Sequence, residues 1–355
     1  MPRPWEVTAG AEERGERPWF SPRKRRIATP SGGLLLGIAF SLLSAAFFAL
    51  NATAARRAVL FGSVLMGLAI TVPLGVPLFY LLALLTGEGH LVFGLPPEAV
   101  AWFSAAGIIH FVCGRYCNYS AAGAIGTNLS APIMQSEVLV TLVLAIVVLG
   151  EYLTPLRILG IALLIIGPSL VINRDGANVA KSGFQPRYLE GYTMATLAAV
   201  AYGFSPIFIG LGLKAAGGTG VIAGGFVSYV AASIVVGVIL MFADKRHREL
   251  SAAKGALGWF VFAGVMVFLS HAFRYAAIAL APVSIVTALQ RLSSIFRIYF
   301  GWLINRDHEV FDSSVIVATV VSMFGAIILS VSTETFLGLA DWPAWIVEIA
   351  RWRWP

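Results

Sequence analysis

Between Gly33 and Thr333 the chain is a succession of apolar blocks, separated by short polar breaks. The blocks run at 33–53, 62–86, 98–118, 123–149, 155–173, 189–213, 219–242, 257–280, 282–304 and 314–333. A bilayer core takes roughly 20 helical residues to cross, so each block is span-length. Transmembrane strands would alternate apolar and polar residues, and these runs do not. The sequence therefore predicts an all-α polytopic membrane protein with about ten transmembrane helices. Composition agrees: 58% of residues are hydrophobic and 12% charged, with a mean hydropathy of +0.82. Soluble domains hold about 45–50% apolar and about 25% charged residues, enough polar surface to cover a core that this chain does not cover.

The flanks differ from this region. Residues 1–31 are polar and carry Pro2, Pro4, Pro18, Pro22 and Pro30, as a disordered tail would. Arg23, Lys24, Arg25 and Arg26 stand just before the first block and read as a cytoplasmic anchor to anionic headgroups. The net charge of +7 is thus assigned to the membrane surface and not to nucleic acid. Ala52-Thr53-Ala54 resembles a signal-cleavage site, but the first block is span-length and its charged lead is long, so we read an uncleaved helix. Residues 334–355, with Trp342, Trp345, Trp352 and Trp354, read as an aromatic segment at the interface. Cys113 and Cys117 are too few for a disulfide framework, lie four apart on one helix face and read as packing residues.

The region divides into two halves, 32–173 and 189–333, joined by a linker at 174–188. Arg115-Tyr116, Glu151 and Gly167 in the first half match Arg274-Tyr275, Glu309 and Gly325 in the second, at offsets of 159, 158 and 158 residues. Five spans per half force the second copy to insert upside down. A 5+5 inverted repeat is the architecture of many secondary transporters, which bind their solute near the midplane where the repeats meet. Orientation rests on the tail, which places both termini in the cytoplasm. The loop charges alone favour the opposite arrangement.

Five charges fall inside predicted spans beyond their first turn: Arg115, Glu137, Arg274, Arg291 and Arg297. A centred charge costs about 2.5–3.5 kcal/mol to insert, so such groups face protein or water and need partners. Four guanidiniums against one carboxylate leave three positive charges, which favours a solute bearing a carboxylate or phosphate. Glu137 lies mid-span in the fourth block, and the repeat offset places its counterpart at 295 or 296, beside Arg297. The functional reading is a midplane site built on Glu137, Arg291 and Arg297, with Glu137 as a switchable carboxylate. The bland alternative is a buried pair that fixes packing. Gln135, Asn128, Gln290 and Ser294 are polar residues on the same two spans and join the candidate site. Pro132 breaks the register of the fourth span and leaves open which of its polar stripes faces a cavity. Arg115, Arg274 and His271 complete the candidate substrate-binding set. Snorkelling to headgroups competes for the two arginines, and simple packing for His271 and His110.

Leu149-Gly150-Glu151-Tyr152-Leu153-Thr154-Pro155-Leu156-Arg157-Ile158-Leu159-Gly160 resembles the segment joining spans four and five in EamA-type members of the drug/metabolite transporter superfamily. Ala124-Ile125-Gly126-Thr127-Asn128-Leu129-Ser130-Ala131-Pro132 is similar to the start of that family's fourth span. In the second half Ile304-Asn305-Arg306-Asp307-His308-Glu309 departs from the usual Gly-Glu pattern. The resemblance implies a central cavity lined by spans 1, 3, 4, 6, 8 and 9, cytoplasmic termini in a bacterial inner membrane, and alternating access for a small metabolite, often outward. Small multidrug relatives depend on a carboxylate in their first span, and this first span has none.

No nucleophile elbow, HExxH or phosphate loop is present, so no enzyme, metal or cofactor is expected. The expected function is a secondary transporter, with a small molecule as partner and a proton as candidate coupling ion. A lipid-handling protein or a non-transporting interaction subunit is the alternative. Oligomeric state is not read from the sequence.

Overall fold

The computed structural model describes residues 32–149, 154–172, 185–243, 254–281, 283–331, 333–338 and 340–352. The tail with Arg23–Arg26, Glu151, linker residues 174–184, Pro282, Arg353 and Trp354 lie outside them. Six described stretches are long and apolar enough to cross a membrane: Gly33–Val59, Val64–Leu85, Pro97–Leu144, Tyr188–Ala215, Val221–Phe242 and Gly255–Arg274. Pro155–Leu170 and Ser313–Leu329 are apolar but shorter.

The helices are α1 (Gly32–Val59), α2 (Val64–Leu85), α3 (Pro97–Gly107) and, after a π-helical stretch at Ile108–Gly114, α4 (Arg115–Met134). Next come α5 (Glu137–Leu149), α6 (Pro155–Ile172), α7 (Tyr188–Ala215) and α8 (Val221–Phe242). The chain continues with α9 (Lys254–Leu280), α10 (Val283–Gln290), α11 (Ser293–Asn305) and α12 (Ser313–Ser330). Short α13 (Thr333–Leu337) and α14 (Ala344–Arg351) finish it.

Hydropathy placed a break near 119–122, but the helix runs on to Ile125 and breaks at Gly126 (φ 81°, ψ 170°). Only glycine adopts that conformation readily. A Cβ there would also stand 2.5 Å from Glu309 Oε2. Apolar residues on both sides hide the break from a hydropathy reading.

Equivalent helices of the halves run antiparallel. Gly75 of α2 packs on Tyr229 of α8, while further along α2 Phe79 packs on Gly225, earlier in α8. Glu88, past the end of α2, accepts hydrogen bonds from the first amides of α8, Ile222 N (2.9 Å) and Ala223 N (3.0 Å). In the same way Gly160 of α6 meets Gly325 and Leu329 of α12, and Gly167 meets Ala318 and Ser322. The landmark glycines Gly167 and Gly325 thus mark a close helix crossing, where a small residue lets backbones approach.

The remaining helices form two groups. In one, α1 lies along α9, α10 and α11; in the other, α7 lies along α3, α4 and α5. Each group joins the first helix of one half to the third and fourth segments of the other. The amphipathic α14 rests on α6, with Trp345, Ile346 and Ile349 over Pro155, Leu156 and Leu159. Trp345, Ile349 and Trp352 are also exposed, as suits a helix in the membrane interface.

Candidate functional site

Two helical paths are interrupted midway. One passes from α4 to α5 through Gln135 and Ser136; the other passes from α10 to α11 through Arg291 and Leu292. Pro132 contributes to the first interruption, because it removes one amide from the last turn of α4. No proline stands at the second, where Ser294 N and Ile295 N bond back to Arg291 O and Leu292 O in tight turns.

The interruptions face each other. Arg291 donates from NH1 to Glu137 Oε1 at 2.6 Å and reaches Gln135 Oε1 at 3.4 Å. Gln135 Nε2 donates to Ser294 Oγ at 2.6 Å. On the other side of the α10 break, Gln290 Nε2 donates to Ser44 Oγ at 2.5 Å, and Ser44 in turn donates to Ser270 O. This continuous polar strip connects α1, α4, α5, α9, α10 and α11. The Glu137 and Arg291 side chains are 28% and 20% exposed, so protein does not fully enclose the pair. The sequence offset pointed from Glu137 towards Arg297, but its ion-pair partner is Arg291. The interruptions fall 156 residues apart (291 − 135), not 158, and this shifts the register between halves.

Arg297, one turn further along α11, is 8% exposed and lies over the Phe48 ring at 5.2 Å. Among the described residues it makes no hydrogen bond and no ion pair, and its buried Nε has no partner. A buried guanidinium without an anion or acceptor is costly. Arg291 Nε is also without a partner, but Arg291 is held by Glu137, whereas Arg297 has its donors left to offer.

Arg115 is held elsewhere. The helix continues beyond 118 to Ile125, so Arg115 sits about 15 Å from that end. It cannot snorkel there, and it is 5% exposed. NH1 donates to Thr71 O and Oγ1 (3.3 and 3.2 Å), NH2 to Tyr229 OH (3.2 Å), and the guanidinium lies over Phe111 at 4.9 Å. His271 stands edge-on to Phe79, which packs against the same Tyr229. Neither Arg115 nor His271 touches the Arg291 group. Arg274, half-buried, follows His271 on α9. Of the ten candidates, six come together (Gln135, Glu137, Gln290, Arg291, Ser294, Arg297). Both polar stripes of the fourth span are used, because Asn128 and Gln135 face Val310 and Ser294 while Thr141 donates to Gly203 O on α7.

Asn128 belongs to a knot that the sequence reading missed. Arg56, which falls in the break between the first two apolar blocks, lies in the last turn of α1 and is 0% exposed; Glu309, read only as a repeat landmark, is 1% exposed. Glu309 accepts from Thr127 N (2.7 Å), Thr127 Oγ1 (2.7 Å) and Asn128 N (3.0 Å), the first donors after the Gly126 break. Arg56 donates to Ala122 O (2.5 Å) and Gly123 O (3.0 Å), before the break, and to His308 O (2.8 Å). Arg56 Nε and Glu309 Oε1 are 3.9 Å apart. The broken helix therefore meets an anion at its new N-terminus and a cation at its new C-terminus, as the helix dipole favours. Burial pushes the Glu309 carboxyl up from its ordinary range, and Arg56 with the three donors pulls it back. A basic pair at the end of an apolar block carries no local signal of burial.

The model of the EamA-like transporter family matches residues 35–173 and 189–331, one copy on each half. A solved structure titled only "Crystal structure of protein" superposes with a TM-score of 0.54 at 16% identity, over 83% of this chain and 95% of its own. At that identity the likeness speaks for the fold. None of the curated proteins matches the chain.

Proposed function

The chain belongs to the EamA-like transporter family, and from that premise we propose that it carries a small organic solute with a carboxylate or phosphate group across the membrane. Each interrupted path counts as one crossing in this reading, which gives ten crossings. The two helix groups rock about the polar strip and expose it to one side at a time. Arg297 carries the reading: it is a buried guanidinium whose ring contact with Phe48 leaves its edges for a bidentate anion. Arg291 is already neutralised by Glu137. Glu137 is the carboxylate that a coupling proton would use, because protonation would release Arg291 to a second anionic group on the solute. Gln135, Gln290 and Ser294 supply neutral donors and acceptors beside it, and interrupted helices are where transporters commonly place such groups. The basic tail supports cytoplasmic termini in this reading, and the family resemblance supports a bacterial inner membrane and outward transport.

The test is counterflow in proteoliposomes with a panel of carboxylated, phosphorylated and cationic solutes. We expect uptake of an anionic or zwitterionic member, lost in Arg297→Ala. Uptake of cations alone, or equal uptake by the variant, would refute the site.

A further inference from the structure

The Arg56–Glu309 knot lies at the end of the bundle where α1 terminates, and it crosses from one helix group to the other. Arg56 is on α1, and Glu309 follows α11, which packs along α1. Everything they grip outside their own group belongs to α4: Ala122 O, Gly123 O, Thr127 N, Thr127 Oγ1 and Asn128 N. Around them Ala124, Ile125 and Leu129 bury against Val310, Val315 and Ala318, with Tyr188 and Tyr192 of α7 closing the cluster. Arg187 N, just before α7, also donates to Ala124 O at 2.9 Å. These contacts pack this end of the bundle tightly.

We propose that Arg56 and Glu309 are a releasable latch that holds this end closed, and that its release from the α4 break opens the end during transport. The proposal rests on the transport reading above and adds to it the contact that must be broken. A buried ion pair is close to break-even against water, which suits a contact that must come apart. Gly126 suits it too, because its conformation lets four backbone polar groups (Ala122 O, Gly123 O, Thr127 N, Asn128 N) be capped by residues of the other helix group and not by their own helix. Water entering the opened end would take over those four groups. Among the described residues in these contacts, the charged and titratable groups are Arg56, Glu309, His308, Arg187, Tyr188 and Tyr192.

The experiment uses the full chain with Cys113→Ser, Cys117→Ser and Ala124→Cys, purified in micelles, and measures the rate of maleimide labelling at position 124. Ala124 is 1% exposed in the closed cluster, so labelling of this parent should be slow. We expect Arg56→Gln and Glu309→Gln each to raise the rate at least tenfold, and Arg56→Lys to raise it less. Asn305→Ala removes a neighbouring buried hydrogen bond to Thr53 O (2.9 Å) without touching the latch, and should leave the rate unchanged. Thermal unfolding of every variant identifies any that simply fails to fold, and Arg56→Lys keeps the test decisive if a glutamine variant does. Unchanged labelling in folded latch variants, or equal acceleration by Asn305→Ala, would overturn the proposal. Because the assay needs no solute, absence of flux in the parent would count against the transport reading and not against the latch.

Discussion

Glu137 and Arg291, 154 residues apart in the chain, meet at 2.6 Å where two helical paths are interrupted. Each end of the pair belongs to a different half, so the contact records how the halves meet. Removing one partner leaves the other charge partly buried. Thermal unfolding of Glu137→Gln, Arg291→Gln and the double variant should give a coupling of about 1–3 kcal/mol, with the double variant more stable than the sum of the singles implies. Additive losses would mean that the pair contributes only through separate neighbours.

Arg297 should be sensitive to side-chain shape as well as charge. Lysine offers a compact ammonium in place of a planar fork. Arg297→Lys should raise KM for an anionic solute tenfold or more, with maximal flux less affected, and Phe48→Leu should raise KM by a smaller factor. Flux titrations over solute concentration read both.

Arg115 should matter for stability and not for solute binding. Its donors are taken up by Thr71 and Tyr229, and Phe111 covers its face. Arg115→Gln should lower Tm by several degrees while KM stays within about twofold, since losing a charged, buried hydrogen-bond donor costs about 1–3 kcal/mol. A KM rise with unchanged Tm would return Arg115 to the binding site.

Gly126→Ala should destabilise the protein by about 1–3 kcal/mol, the usual cost of holding a side chain in a glycine conformation. The added Cβ would also crowd Glu309 Oε2. The same change at Gly210, which has open space around it, should have a much smaller effect. Denaturant or thermal unfolding of the two variants side by side checks this.

The helices themselves were legible, because hydropathy and length are local properties of the chain. α2, α6, α8 and α12 lie close to the ranges expected from the sequence. The interruptions were not legible. Gln135-Ser136 and Arg291-Leu292 sit inside apolar runs, and only the facing half tells where the helix gives way. The repeat offset brought Glu137 near the right helix but to the wrong arginine, since a two-residue shift moves a helical position to another face. Arg56 shows the same limit: the sequence displays a basic pair after an apolar block, and burial comes from carbonyls 66 and 67 residues away.

The central claim is that Arg297 receives an anionic group of the transported solute. Counterflow by wild type, Arg297→Lys and Arg297→Ala in matched proteoliposomes, using whichever carboxylate or phosphate the panel identifies, tests it most directly. The account predicts robust exchange in wild type, weakened apparent affinity in the lysine variant and none in the alanine variant. Equal exchange by folded wild-type and alanine proteins would contradict it.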